Sequence, residues 1–225
     1  AGLPARSAAC RAGACGDRRD RDDVRVVADL DLYLASESPR RRQLLAAAGL
    51  AFELCQPGAE YADGADEHGC ESGDPRVLCV ERARRKARGA GRDRRPGVPT
   101  LGVDTVVDLA GEELGKAADR DAAAAMLARL AGHTHAVHTA HCLVVDGREV
   151  TELVTAEVRC ADVSEERLAA YLDTGQWRGK AGGYGIQDAE QDFLAIERGP
   201  FDAVVGLHVP AVRRLLRRSL EERGA

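Results

Sequence analysis

The chain lacks a surplus of positive charge: 32 Lys and Arg residues stand against 37 Asp and Glu, for a net charge of −5. A protein that grips duplex nucleic acid by its backbone usually carries a basic excess. Bulk charge therefore argues against that class and leaves room only for a local basic cleft. Cysteines are present, but not in pairs of useful spacing. The seven, at positions 10, 15, 55, 70, 79, 142 and 160, form no Cys-x-x-Cys, and the odd count argues against a disulfide scaffold or a zinc site of standard spacing. No apolar run approaches the ~20 residues a membrane-spanning helix needs. The apolar core of a secretory signal is missing from the first residues. A reducing, cytoplasmic setting is the expectation, with no membrane and no nucleic-acid partner. No internal repeat is found.

What the chain does have is 44% hydrophobic residues over 225 positions, enough to bury a core in one large domain or two small lobes. Residues 1–29 are Arg-, Asp-, Ala- and Gly-rich, with the run Asp17 to Asp23, and are predicted to be a disordered extension. The folded domain is expected over 30–220. It opens on a strand, Leu32 to Ala35, followed by Ser38-Pro39, an N-cap and first-turn pair, and a helix closed by Gly49. Residues 51–73 read as a polar loop. Asp74-Pro75 starts a second helix to about Arg88, with Val77, Leu78, Val80 and Ala83 inward. Thr100 to Val107 is a strand turned by Gly111 into a partner ending at Gly115-Lys116. Asp119 or Asp121 opens an Ala-rich helix that ends at Gly132.

Further on, Asp146-Gly147 joins strands 135–145 and 149–161 in a hairpin. Ser164 caps a helix through Leu172, and a glycine-rich loop spans 179–185. A strand at 193–196 and a final helix from Pro210 to Leu220 complete the pattern. Interleaved strands and helices predict a mixed α/β fold, with ligands expected in loops after strands.

Four constellations carry chemistry. The first is Ser36-x-Ser38-Pro39-Arg40-Arg41. Arginines in a first helical turn oppose the helix dipole unless an anion is expected there, and phosphate satisfies both the free N–H donors and the guanidinium forks. The second is Gly102-Val103-Asp104-Thr105-Val106-Val107, where a carboxylate interrupts an apolar strand at a cost that a metal, cation or water must offset. The third is scattered: Lys86 among the helix arginines, Lys116, Lys180 and the acidic pair Asp66-Glu67. The fourth is Lys180-Ala181-Gly182-Gly183-Tyr184-Gly185-Ile186-Gln187, in which glycines admit a ligand close to backbone and Gln187 offers a donor and an acceptor to a base edge. His133, His135, His138 and His141 suggest a transition metal but complete no zinc pattern. Strand alternation puts 138 on the face opposite the others, so satisfied core histidines are the better reading.

Taken together and in order, these segments resemble the Maf family of nucleotide pyrophosphatases. The resemblance also takes in Ala83 to Ala87, Leu114-Gly115-Lys116, Leu130-Ala131-Gly132-x-x-His135 and Val204-Val205-Gly206-Leu207, and covers about residues 31–218. It implies an elongated sheet flanked by helices with a central cleft, related to inosine-triphosphate pyrophosphatases, and cleavage between the α- and β-phosphates of a nucleoside triphosphate. By motif position Asp104 resembles the family's proton acceptor, and Ser36, Arg41, Lys86, Lys116 and Lys180 its phosphate contacts. Arg40, Thr105 and Gln187 match the subgroup that hydrolyses dTTP and UTP. A Mg²⁺- or Mn²⁺-class ion is implied, held by Asp104 with Glu67, although Asp66 and Glu60 remain alternatives for the second acid. A homodimer is compatible with the sequence. The resemblance also carries a rival role, a partner- or nucleic-acid-binding regulator of cell division, which the basic helix 82–88 would serve. Departures from the family pattern are Ala117 for Pro after Lys116, Gly179 for an acid before Lys180, and His208 for Pro after Leu207.

Overall fold

In the computed structural model, residues 30–58, 73–91 and 94–224 are described. The expected extension at 1–29 and the acid candidates Glu60, Asp66 and Glu67 lie outside them. The chain runs β1 (Leu32–Ala35), α1 (Pro39–Ala47), β2 (Phe52–Cys55), α2 (Pro75–Arg88), β3 (Thr100–Leu109), β4 (Glu112–Leu114) and α3 (Arg120–Leu130), followed by β5 (Thr134–Val145), β6 (Arg148–Cys160), α4 (Glu165–Asp173), β7 (Leu194–Arg198), α5 (Phe201–Val205) and α6 (Val209–Gly224). The strands form one seven-stranded sheet in the order β2-β1-β3-β5-β6-β7, with β4 beside β3. β1 is parallel to β2 and β3, and all other pairings are antiparallel, so the expected mixed α/β fold is what forms. No described helix is long and apolar enough to cross a membrane.

Local signals act as expected at most element ends. Asp74, Asp119 and Ser164 each accept a backbone N–H in the first turn of α2, α3 and α4. Asp146 and Gly147 both take positive φ, at 48° and 79°, as a two-residue hairpin of this hand requires. Ser38 occupies the N-cap of α1, but its side chain makes no capping bond; instead its N–H donates to Ser36 Oγ at 3.2 Å. Two elements lie outside the sequence expectation. β2 falls in the stretch read as loop, because four residues are too few for alternation to register and its strand order is supplied by pairing with β1. α5 is five residues long, too short for a period to register. In α2, Leu78 and Ala83 face inward, Val80 is half-buried, and Val77 is turned out at 46% exposure while Cys79 takes the buried position.

The topology creates a gap in the middle of the sheet. β5 covers one edge of β3 from Thr100 to Asp108. On the other edge β1 stops at the pair Ala35–Gly102, and β4 begins only at Val107–Leu114. Among the described residues, positions 103–106 have no partner strand on that side. Two hydrophobic clusters flank the gap: one joins β1, α1, α6 and the first half of β3, the other joins α3, α4, Tyr184, Trp177 and Val107. A crevice outside the carboxyl end of a parallel strand, where chain direction switches, is where open α/β sheets bind ligands.

Candidate active site

The gap opens into a cavity of about 730 Å³ lined by Ser36, Arg40, Arg41, Lys86, Asp104, Thr105, Lys116, Lys180 and Gln187, so one cleft collects every site residue expected from the sequence except Glu67, which lies outside the described residues. Eight arginines and lysines line it against four carboxylates. A chain of net charge −5 has therefore concentrated its positive charge where a polyanion would sit.

Each wall has a local cause. Alternation along β3 sends Asp104 toward α2 and Thr105 to the opposite face. Gly102 makes the first of these useful. A Cβ there would lie 2.3 Å from Ala83 O and 2.6 Å from Ala87 N, so only glycine lets α2 lie directly on β3. That close approach brings Lys86 Nζ to 2.6 Å from Asp104 Oδ1, with both side chains at or below 10% exposure. One turn earlier, Arg82 forks onto both oxygens of Glu113 on β4. Spacing i, i+4 thus gives two parallel ion pairs along one face of α2. Sequence alone does not single out Arg82 and Glu113, since Arg82 reads as one more cation on a basic helix.

On the far face, Arg41 is buried and fully directed. Nε donates to Gly206 O at 2.8 Å, and the two terminal nitrogens donate to Ser36 Oγ at 3.1 Å and Thr105 Oγ1 at 3.2 Å. Thr105 Oγ1 meets Thr139 Oγ1 at 3.0 Å, and Thr139 donates to Ala203 O at 2.8 Å. The α5–α6 turn that supplies Gly206 is itself anchored by His208. Its ring bonds Asp202 Oδ1 at 2.7 Å, and its backbone N–H donates to His141 Nε2 at 2.9 Å, a bond that proline could not make.

The third wall joins two loops. Lys116 pairs with Ala181 by backbone, and Gly182 N–H donates to Leu114 O and Gly115 O at 3.0 and 2.9 Å. The lysine loop is pinned this way despite Ala117 in place of proline. Lys180, without an acid before it, is held by both oxygens of Asp188. Asp188 also accepts from Tyr171 OH at 2.8 Å. Burial pulls the Lys180 ammonium below the ordinary lysine range, with Asp188 opposing and Arg40 adding to the effect. Burial likewise lowers Arg40, against the attraction of Asp188. Cations that burial makes costly gain when an anion arrives. Sequence reasoning misses Asp188 and Tyr171; the one hint is an acid directly after the Gln187 motif.

None of His133, His135, His138 and His141 lines the cleft. His135 Nε2 bonds Tyr184 OH at 2.6 Å, and His138 bonds Thr155 and Asp108 at 2.9 and 3.1 Å. Burial pushes His135 and His141 down to about 4. His138 faces away from the other two, as strand alternation expects. Among the described residues no group of three His, Cys, Asp or Glu side chains could hold a metal alone. A Mg²⁺-class ion needs fewer, because it keeps waters and takes one or two carboxylates plus substrate phosphates. Asp104, a carboxylate on the cleft wall with Oδ1 held by Lys86, can supply one such ligand, whereas Glu113 has both oxygens taken by Arg82.

Comparison with known proteins agrees with this geometry. The sequence profile of the Maf-like protein family matches residues 31–219. A dTTP/UTP pyrophosphatase of Symbiobacterium thermophilum is 41% identical over 176 residues, covering 78% of this chain and 87% of that protein. One of Escherichia coli O157:H7 is 39% identical over 186 residues, 82% of this chain and 91% of the relative. One of Thermus thermophilus is 41% identical over 185 residues, 82% and 92% respectively.

Proposed function

The chain belongs to the Maf-like family, and on that premise we propose that it hydrolyses dTTP and UTP to the nucleoside monophosphate and pyrophosphate. The observation that carries the reading is the convergence of Arg41, Lys86, Lys116 and Lys180 around Asp104 in one cleft. Phosphoryl transfer asks little covalent chemistry of a protein; it asks for charge neutralisation, a positioned water and a base. Ser36, Arg41 and the three lysines hold the triphosphate. Asp104 receives the proton of the attacking water or orients that water, and Lys86 holds the carboxylate in place while reaching toward the phosphates. A divalent cation held by Asp104 together with the substrate phosphates would neutralise phosphate charge and polarise the bond that breaks. Glu67, the expected partner of Asp104 for that ion, remains part of the proposal. Arg40, Thr105 and Gln187 close the base end of the cleft.

The rival reading, a cell-division regulator displaying a basic helix, loses its supporting feature. On α2, Arg82 is buried against Glu113, Arg84 pairs with Glu81 and Glu149, and Arg88 pairs with Glu149. A cytoplasmic setting remains part of the proposal; among the described residues Cys55, Cys79, Cys142 and Cys160 are free thiols. The test is a panel of dTTP, UTP, CTP, dATP and GTP with Mg²⁺, with Mn²⁺ and with chelator, read by pyrophosphate release. The reading expects dTTP and UTP to lead and chelator to abolish turnover. Equal kcat/KM across the panel would replace it with a general triphosphate pyrophosphatase.

A further inference from the structure

We propose that Asp188 fixes the orientation of the Gln187 carboxamide and so sets the preference for uracil and thymine over cytosine; the proposal rests on the dTTP/UTP reading above. A carboxamide has two faces, and one flip exchanges donor for acceptor. In one orientation its oxygen accepts from N3–H of uracil or thymine while its NH₂ donates to O4. Flipped, it matches cytosine, whose amine donates and whose N3 accepts. Gln187 alone discriminates nothing, and the side chain that breaks the tie is the next one in the chain.

Asp188 is ringed by donors. Its carboxylate takes Lys180 Nζ on both oxygens, Tyr171 OH at 2.8 Å on Oδ2, and Gln187 Nε2 at 3.4 Å on Oδ1. The last contact is long, so it contributes little attraction. Its weight lies in what it forbids: a flipped Gln187 would set its oxygen against a carboxylate that has no hydrogen to give. Gln187 lines the cleft, so with its nitrogen committed to Asp188 its oxygen is the atom offered to the base.

The carboxylate is itself held firmly. Tyr171 is fully buried, and its OH also accepts from Gly185 N–H at 3.3 Å. A Cβ at Gly185 would fall 2.6 Å from Asp188 Oδ1 and 2.7 Å from Lys180 Nζ, so the glycine of the loop is what admits this pair. One acid thus ties the base-reading side chain to a phosphate-facing lysine. Asp188 is a positioning residue acting through Gln187.

The experiment compares kcat/KM for UTP and CTP in the unmutated protein, Asp188→Asn, Gln187→Ala and the double variant, with circular dichroism to check the fold. Asp188→Asn leaves a side chain that can donate or accept, so both Gln187 orientations become available. The UTP:CTP ratio should fall by about ten-fold, the effect of one mismatched hydrogen-bonding pair worth about 1.4 kcal/mol. Loosening of Lys180 lowers both nucleotides together and cancels in the ratio. In the Gln187→Ala background, Asp188→Asn should move the ratio by less than about two-fold, because the side chain it acts through is gone. An unchanged ratio in Asp188→Asn overturns the proposal, as does an equal change in both backgrounds. Should Asp188→Asn not fold, Asp188→Ser is the second variant: without the carboxylate the UTP:CTP ratio should fall in the same direction, and an unchanged ratio overturns the proposal. Failure of the parent reading looks different: the unmutated protein would release no pyrophosphate from UTP.

Discussion

Replacing Asp104 by Asn separates chemistry from stability, because the structure sets a different magnitude for each. Lys86 and Asp104 form an ion pair at 2.6 Å with side-chain exposures of 10% and 5%. Deleting one partner of such a pair costs about 3–5 kcal/mol, since the survivor stays buried without its counter-charge. The carboxamide introduced by Asp104→Asn would still offer Lys86 an oxygen, and a kept hydrogen bond to a charged group is worth about 1.5–3 kcal/mol, so the cost drops to about 1–3 kcal/mol. For a domain of this size that is about 2–12 °C in Tm. Lys86→Met gives no such relief and should lose the full 3–5 kcal/mol, roughly 6–20 °C. Turnover should rank the other way. Asp104→Asn removes the proposed proton acceptor and should cut kcat by about 10²-fold or more at a temperature where it is fully folded. The assay is thermal unfolding of both variants beside initial rates with dTTP. Near-normal turnover in a folded Asp104→Asn would remove that residue from catalysis. Unchanged Tm in both variants would mean that the pair contributes nothing to the fold.

Other consequences follow from individual contacts. Lys116 is exposed, so Lys116→Ala should raise KM for the triphosphate while moving Tm by less than about 2 °C; a large Tm loss with intact activity per folded molecule would contradict its phosphate role. Gly102→Ala puts a methyl 2.3 Å from Ala83 O and should lower Tm and kcat together, because α2 must lift and carry Lys86 from Asp104. His135 and His141 sit near 4 in the fold against an ordinary 6.5. Their folded values are depressed, so the unfolded chain binds more protons between those limits. The stability from keeping them neutral is complete above pH 6.5 and is lost as pH falls toward 4, at about 1.4 kcal/mol per unit for each. Thermal unfolding from pH 7.5 to 5 should show that decline, shallower in His141→Gln; an equal slope in the variant would refute the assignment.

Local rules make much of this molecule legible. Capping acids, the Asp146-Gly147 turn and the run around Asp104 act over a few residues, and each behaves as its chemistry requires. Arg40, Arg41 and Asp104 are readable because each sits in a place that folding alone disfavours, arginines at a helix start and a carboxylate within an apolar strand, whereas Lys86, Lys116 and Lys180 are legible only through the family resemblance. What stays hidden depends on distance in sequence. Glu113 meets Arg82 across 31 positions, and Thr105 meets Thr139 across 34. Asp188 is close to Lys180 in the chain, yet its role appears only when Tyr171 and Gly185 fold the loop around it. Sequence reasoning misplaces Val77 because hydrophobicity alone points inward, whereas packing against β3 favours small side chains such as Cys79 and Ala83.

Cleavage in this cleft is proposed to fall between the α- and β-phosphates. The direct measurement is ³¹P NMR of dTTP incubated with the purified chain and Mg²⁺, with Asp104→Asn as control. The unmutated protein should give dTMP and pyrophosphate in equal amounts, and the variant should leave dTTP unchanged over the same interval. Accumulation of dTDP and orthophosphate would contradict that position of cleavage, because the triphosphate would then be cut at its terminal phosphate.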